Sequence, residues 1–421
     1  MTLVDLPGTA PLDTEAPAVA VPGANPTLVL AALAVGGFAI GTTEFAAMSL
    51  LPSFAPDLGL DAPTAGHVIS AYALGVVVGA PIIAVLAAKV ARRTLLVGLM
   101  VLFALGNGLS ALAPSYGWML AFRFLAGLPH GAYFGVAALV AASLVPRERR
   151  SQAVSRVLLG LSIATVVGVP LANGIGQLVG WRWSFGLVAV LALLTAVLVW
   201  FYAPLGAPAA GASPLRELGA LRRGQVWLTL ATGAIGFGGL FAVYTYLAST
   251  LLEVTHAPSA AIPAVLAVFG LGMTVGNLVC AWVADRAQMP AAGATLVWSA
   301  AALALYPAAS ANLWTLTAVV FLIGCGCGLA TILQTRLMDV AEDAQTLAAA
   351  LNHSAFNVAN ALGPWLAGLA LAAGFGLSAT GWVGVALALG GFAIWAASLL
   401  AERRTGPSHP LSSRHAADAE A

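Results

Sequence analysis

Long apolar segments recur along the whole chain and constrain its fold more than any other feature. An α-helix needs about 20 mostly apolar residues to cross the hydrocarbon core of a bilayer. Turn residues and charges divide this chain into twelve segments of about that length, predicted at 28–51, 66–88, 94–113, 117–143, 152–179, 183–203, 226–251, 261–284, 291–309, 313–337, 346–373 and 379–401. The sequence therefore predicts an all-α polytopic membrane protein with twelve transmembrane helices.

Composition excludes a water-soluble fold. Only 8% of the residues are charged and 60% are hydrophobic, whereas a soluble domain has roughly 25% charged residues. Residues 1–26 contain no Lys or Arg, so the basic region of a cleavable signal is missing. We expect 1–26 and 402–421 to be polar cytoplasmic tails, the first of them disordered. Cys280, Cys325 and Cys327 lie in apolar segments, which predicts neither disulfides nor a metal site.

The distribution of basic residues predicts the orientation in the membrane. If the twelve helices alternate in direction, 15 of the 17 Lys and Arg residues fall on one side. The exceptions are Arg123, inside the fourth segment, and Arg182, on the opposite side. An excess of Lys and Arg marks the cytoplasmic side of a membrane protein. We therefore predict a plasma (inner) membrane protein with both termini in the cytoplasm.

The longest polar break divides the chain into two halves. Residues 204–224 contain prolines, glycines and several charges, and we predict that they form a cytoplasmic linker between six-helix units at 27–203 and 225–401. The stretch Ala84-Val-Leu-Ala-Ala88-Lys89 has a counterpart in Ala281-Trp-Val-Ala-Asp285-Arg286. Similar stretches at corresponding places indicate a duplicated unit, which is a common plan among transporters.

Several motifs carry a family resemblance over about residues 27–404. They are Ala65 to Pro81 in the second segment, Arg123-Phe-Leu-Ala-Gly127-Leu-Pro129-His130-Gly131 in the fourth, Gly168-Val-Pro170-Leu-Ala-Asn173-Gly174 in the fifth, Trp181-Arg182-Trp183-Ser-Phe185, and Leu351 to Asn357 in the eleventh. In these motifs the chain resembles the major facilitator superfamily, and within it the twelve-helix drug:proton antiporters of the arabinose-efflux and chloramphenicol-export type. The resemblance implies two pseudo-symmetric six-helix bundles, efflux coupled to protons, and no cofactor.

The loop after the second segment departs from the family pattern. That pattern has Gly, then Asp-Arg, then Gly before two basic residues, and here Ala84, Ala88 and Ala91 replace the first Gly, the Asp and the second Gly. Lys89, Arg92 and Arg93 remain, and the counterpart in the second half keeps Asp285 and Arg286. If the family's Asp latches one conformation, the first half of this chain has lost that latch.

Glu44 is the one carboxylate placed deep in a predicted helix, and Arg123 is the one deep cation. Counted from the nearest helix ends, both lie about 10–12 Å below the same surface, so an ion pair or a shared water-filled cleft is geometrically plausible. Intramembrane charges usually mark function. Because burial and a nearby guanidinium act oppositely on the charge of a carboxyl, movement of Arg123 or of a substrate would change the proton affinity of Glu44. The alternative is a static pair that pins two helices together.

The fourth and fifth segments supply further candidates. His130 follows Arg123 by two helical turns on nearly the same face, and we predict that it joins the proton-coupling set, although a packing hydrogen bond is an equal alternative. The small residues of the fifth segment, with Gly168, Pro170 and Gly174 among them, predict a tight seam or hinge. That this seam closes the cavity for export is implied by the resemblance alone.

The remaining polar side chains define a predicted substrate cavity. Its candidate residues are Thr43, Tyr72, Tyr133, Tyr244, His353 and Asn357. His353, Asn357 and Asn360 share one stripe of the eleventh segment, where they could equally join helices. Such a cavity suits neutral or lipophilic molecules such as drugs or sugars. It does not suit phosphates, because it lacks a pair of arginines.

The leading hypothesis is a monomeric exporter that exchanges small organic molecules for protons by alternating access. The chain has no Gly-Lys-Ser/Thr phosphate loop, no array typical of an enzyme, and no basic patch for nucleic acid. Its expected partners are protons, a small-molecule substrate and the lipid bilayer. A uniporter or proton symporter that imports its substrate is the nearest alternative, and a membrane sensor that binds without transport is an alternative of another class.

Overall fold

The computed structural model describes residues 25–86, 90–146, 149–205, 221–341 and 345–405. Within these ranges, twelve helices are long and apolar enough to cross a membrane: α1 Pro26–Ser49, α2 Ala62–Ile83, α3 Arg92–Ala111, α4 Tyr116–Ser143, α5 Gln152–Val179, α6 Trp181–Tyr202, α7 Gly224–Glu253, α8 Ser259–Ala284, α9 Arg286–Ala309, α10 Leu313–Ala341, α11 Leu351–Ala372 and α12 Leu377–Arg403. Their ends lie within about five residues of the predicted ones, because apolar length is what a spanning helix requires. The prediction of twelve helices is confirmed.

Four of the spans contain a local irregularity. In α5, residues Ala164–Gly168 form a π-helical turn just before Pro170. A proline has no N–H to donate to the preceding turn, and a π-turn is one way for a helix to absorb this loss. A short 3₁₀ turn, Gly326–Gly328, interrupts α10, and α7 is divided at Phe237. Helices α8 and α9 meet at Ala287, whose backbone is not helical.

Contacts between the helices place α1, α2, α4 and α11 around one region. In the first half of the chain, α2 packs on α4, α3 packs on α4 and α6, and α1 packs on α5 and α6. In the second half, α7 packs on α11 and α12. Contacts between the halves join α2 to α11, α5 to α8 and α1 to α7. Large apolar side chains such as Leu178, Phe201 and Trp314 lie exposed on the outside, as expected for surfaces that face lipid.

Glycines bring two pairs of helices into close contact. A Cβ at Gly160 of α5 would collide with the Ala34 carbonyl of α1. A Cβ at Gly168 of α5 would collide with the Thr42 hydroxyl, which also belongs to α1. The predicted tight seam therefore lies between α1 and α5, since small residues let backbones approach closely. Gly174 does not belong to it, because a Cβ there would have no neighbour within 4 Å. The prediction that Gly174 contributes to the seam was wrong.

The second close pair is α2 and α4. A Cβ at Gly75 of α2 would meet the Phe124 carbonyl of α4, and a Cβ at Gly127 of α4 would meet the Tyr72 carbonyl of α2. This reciprocal approach sets α2 directly against the stripe of α4 that carries Arg123 and His130.

Candidate functional site

The buried charges of the described residues are confined to two side chains. Glu44 on α1 is 9% exposed and Arg123 on α4 is 1% exposed, and no other Asp, Glu, Lys or Arg of the described part of the chain is buried. Both lie inside an apolar helix, as the sequence predicts. The structure adds that they lie near the contact between the two halves of the chain.

Arg123 is held by neutral groups from four helices, among them the Phe185 ring of α6, whose centre lies 5.2 Å from the guanidinium carbon. Its Nη1 donates to Thr43 Oγ1 of α1 and to Asn107 Oδ1 of α3, each at 3.2 Å. Thr43 Oγ1 in turn donates to Asn107 Oδ1 at 2.7 Å. The guanidinium carbon lies 4.4 Å from the centre of the Tyr72 ring, a cation–π geometry. The Arg123 Nε has no hydrogen-bond partner among the described residues.

Glu44 takes its partner from the other half of the chain. Its Oε1 accepts a hydrogen bond from Nδ2 of Asn360 on α11, at 3.1 Å. Glu44 and Arg123 both lie in the described ranges, yet the ion pairs found there, Arg182 with Asp57 and Arg336 with Glu402, do not include them. The direct ion pair that we considered is therefore absent. Successive residues of a helix point about 100° apart, so Arg123 binds the Thr43 side of α1 while Glu44 faces α11.

His130 connects the Arg123 cluster to α11. Its Nδ1 lies 2.9 Å from the Tyr72 hydroxyl, and its ring lies 5.5 Å from that of Phe134. Phe134 stacks almost parallel on the His353 ring of α11, at 5.7 Å between centroids. Tyr72, His130 and His353 thus belong to one continuous row of rings from α2 through α4 to α11.

The polar stripe of α11 faces this region along its length. Asn360 contacts α1 through Glu44, and His353 contacts α4 through Phe134. Asn357 lies between them, and its Nδ2 donates back to the His353 carbonyl at 2.9 Å. The Oδ1 atoms of both Asn357 and Asn360 are buried and have no hydrogen-bond partner among the described residues. Buried polar atoms of this kind are rare and call for an explanation.

Two predicted cavity tyrosines have other surroundings. The Tyr133 hydroxyl donates to the Leu33 carbonyl of α1 at 2.8 Å, so it joins α4 to α1 and its polar atom is already used. The Tyr244 ring of α7 packs against Phe45 of α1 and Phe269 of α8. Tyr244 therefore lies at the contact between the halves.

The loop residues singled out by the family pattern are only partly described. Lys89 lies outside the described residues, as does the side chain of Asp285. Arg93 lies over the Trp200 ring at 5.1 Å, and Arg286 lies over Trp282 at 3.8 Å. Arg92 is at the first position of its helix. The latch that the family pattern implies at this loop stays a prediction.

At the opposite end of the bundle, Asp57 joins the short helix Leu51–Asp57 to α6. It accepts from the Trp181 Nε1 at 2.9 Å and from the Arg182 guanidinium. Hydrogen bonds from the Trp181 indole and then the Arg182 guanidinium hold the pKa of the Asp57 carboxyl below its usual value. Gln177 of α5 also donates to the Ser259 carbonyl of α8 at 2.9 Å. This end of the helix bundle is thus tied together across the two halves.

Sequence reasoning did not identify Asn107, and it did not assign Asn360 to Glu44. The sequence alone could have identified Asn107, because it is a lone amide between two glycines in an apolar helix. A polar group in such a helix needs a hydrogen-bond partner within the protein. Within the described residues, no group of three or more His, Cys, Asp or Glu side chains could hold a metal ion.

The sequence model described as "Major Facilitator Superfamily" matches residues 33–337 and 242–418. The "Inner membrane transport protein YdhP" of Escherichia coli K12 is 39% identical over 352 residues, 83% of this chain and 90% of the relative. A "Chloramphenicol resistance protein" of Streptomyces lividans is 37% identical over 352 residues, 82% of this chain and 89% of the relative.

A solved structure shares the fold. It is a bacterial homologue of the human lysosomal transporter Spinster, in an inward-facing and occupied conformation. The TM-score is 0.70 at 17% identity, over 92% of this chain and 100% of the other.

Proposed function

Since this chain belongs to the major facilitator superfamily and is a multi-pass membrane transporter and not an enzyme, we propose that it exports small neutral or lipophilic organic molecules in exchange for protons. The observation that carries the proposal is Glu44, which is buried on α1 and hydrogen-bonded to α11 of the other half. A carboxyl at such a contact exchanges its proton only when the contact opens to water. Its protonation and the conformation of the transporter are then linked.

Alternating access requires the contacts between the two halves to break and re-form. Among the described residues, three side-chain hydrogen bonds join α11 or α8 to the first half: Glu44 with Asn360, Ser70 with the Ala361 carbonyl, and Gln177 with the Ser259 carbonyl. They lie near the site or toward the end of the bundle at which α1 ends. We propose that opening of this end breaks these bonds together and exposes Glu44. Arg123 stays with Thr43 and Asn107 because all three belong to the first half.

The orientation and assembly are part of the same proposal. The excess of Lys and Arg on one side supports cytoplasmic termini, and the name of the E. coli relative supports the inner membrane. We propose two six-helix bundles, at 27–203 and 225–401, that move against each other in a monomer. The substrate class is supported by the S. lividans relative, whose name refers to chloramphenicol resistance.

The test is an efflux panel in a host that lacks its own exporters. Cells that express the full chain are loaded with chloramphenicol and with a set of neutral drugs and sugars, and the internal concentration is followed before and after collapse of the proton gradient. We expect at least one compound to be expelled and to re-accumulate after collapse. Uptake driven by the gradient would instead support an importer, and binding without flux in proteoliposomes would support a sensor.

A further inference from the structure

The polar stripe of α11 has hydrogen-bonding capacity that nothing in the described residues uses. Asn357 is 4% exposed and Asn360 is 0% exposed, and the Oδ1 of each is a buried acceptor without a partner. By contrast, the Nδ2 of Asn357 donates to the His353 carbonyl, and the Nδ2 of Asn360 donates to Glu44. The two side chains therefore present oxygen atoms, and only oxygen atoms, to whatever lies beside them.

These two acceptors belong to one site. Residues three apart on a helix are neighbours, with Cβ atoms about 5–6 Å apart. Both ends of the stripe contact the first half, through Glu44 of α1 and through Phe134 of α4. Asn357 lies between these contacts on the same stripe of the helix, and its Oδ1, like that of Asn360, is buried there. The Glu44 carboxyl adds a third oxygen-bearing group there.

A pair of aromatic rings lies at one end of this set of acceptors. Phe134 of α4 and His353 of the stripe are stacked at 5.7 Å between centroids. Rings beside a row of acceptors suit a ligand with an apolar or aromatic body and neighbouring hydrogen-bond donors.

We propose that Asn357 and Asn360 form a substrate subsite that takes a pair of neighbouring hydroxyl or N–H donors on a neutral molecule. Ligands whose only polar group is an anion, such as a carboxylate or a phosphate, are rejected. Their oxygen atoms are acceptors only, and they would lie against the acceptor Oδ1 atoms of Asn357 and Asn360. The inference rests on the proposed transport function, since it names the substrate class of that site. A site built to bond a hydroxyl discriminates against an analogue that lacks it, because its own polar atoms are then left unpaired.

The test measures equilibrium binding to the full-length protein in lipid nanodiscs by saturation-transfer NMR. The probes are 1-phenylpropane-1,3-diol, its dimethyl ether and 3-phenylpropanoate. Each hydrogen bond contributes about fivefold to affinity. The two donors should therefore make the diol bind about 25-fold more tightly than the ether, and 3-phenylpropanoate should not bind. This comparison uses one protein, so it does not depend on whether a variant folds.

Variants then assign the preference to the stripe. Asn357→Leu should reduce the preference for the diol to about fivefold. Asn352→Leu should retain the full preference, because Asn352 is also a buried amide of α11 but donates to Gln334 of α10 at 2.7 Å. Equal binding of diol and ether, no binding of the diol up to its solubility limit, or a preference that survives Asn357→Leu would overturn the proposal. None of these results requires a proton gradient, so they are distinct from a failure of proton-coupled export.

Discussion

Replacing Asn107 by leucine tests whether its hydrogen bond stabilises the buried guanidinium of Arg123. Asn107 Oδ1 accepts from Arg123 Nη1 and from Thr43 Oγ1. A hydrogen bond to a charged group contributes about 1.5–3 kcal/mol, and a neutral one contributes about 1 kcal/mol. Thr43 can redirect its hydroxyl to a carbonyl of its own helix, whereas the bond from Arg123 Nη1 to Asn107 is lost and only the bond from this nitrogen to Thr43 Oγ1 remains. We therefore expect Asn107→Leu to lower the free energy of unfolding by about 2 kcal/mol.

The assay is reversible unfolding in mixed micelles at increasing SDS fraction, carried out as a double-mutant cycle. In an Arg123→Met background the charge is gone, and Asn107→Leu should cost at most about 1 kcal/mol, because only the neutral bond from Thr43 is then lost. Ser110→Ala is the matched control, because its hydroxyl lies one turn away on α3 and bonds only its own helix. An equal loss from Asn107→Leu in both backgrounds would show that the amide does not stabilise the guanidinium, and would refute the reasoning.

Three further predictions concern the seam between α1 and α5, the hydrogen bond of Tyr133 and the carboxyl of Asp57. Gly160→Ala should abolish export in the efflux panel, because its Cβ would collide with a backbone carbonyl of α1, whereas Gly174→Ala should leave export unchanged in the same panel. Tyr133→Phe should retain transport and lower the free energy of unfolding by about 1 kcal/mol, measured in SDS micelles, because only a hydrogen bond to α1 is lost. Hydrogen bonds from Trp181 and then Arg182 lower the pKa of Asp57 in the folded protein. These bonds therefore contribute stability above the usual carboxyl pKa, and this contribution is lost as the pH falls through the lowered pKa. Carboxyl NMR of labelled Asp57 should show this, and a titration at or above the usual value would contradict it.

The sequence was sufficient for the helices and for the two buried charges. Apolar length determines a spanning helix, and an ionised residue in such a segment is conspicuous wherever it packs. Glu44 and Arg123 could therefore be chosen without a structure. Likewise, small residues in α5 indicated a close contact, since only a short side chain permits one.

The partners of these residues could not be predicted, because they depend on the rotation and register of helices far apart in the chain. Thr43 and Glu44 are adjacent in sequence, yet one faces Arg123 and the other faces Asn360. Depth estimates alone could not separate these two directions. The same limit explains Gly174, which shares the composition of the seam but points away from it.

The central claim is that Glu44 carries the proton that drives transport, and substrate-dependent proton movement tests it most directly. Proteoliposomes that contain the full chain and a trapped pH-sensitive dye are given a gradient of the compound that the efflux panel identifies. The wild type and Asp339→Asn should both move protons against the substrate flux, because Asp339 lies near the end of α10 and bonds Gln288. Glu44→Gln should abolish the proton signal while still binding the substrate. Proton movement at the wild-type rate in Glu44→Gln would contradict the account.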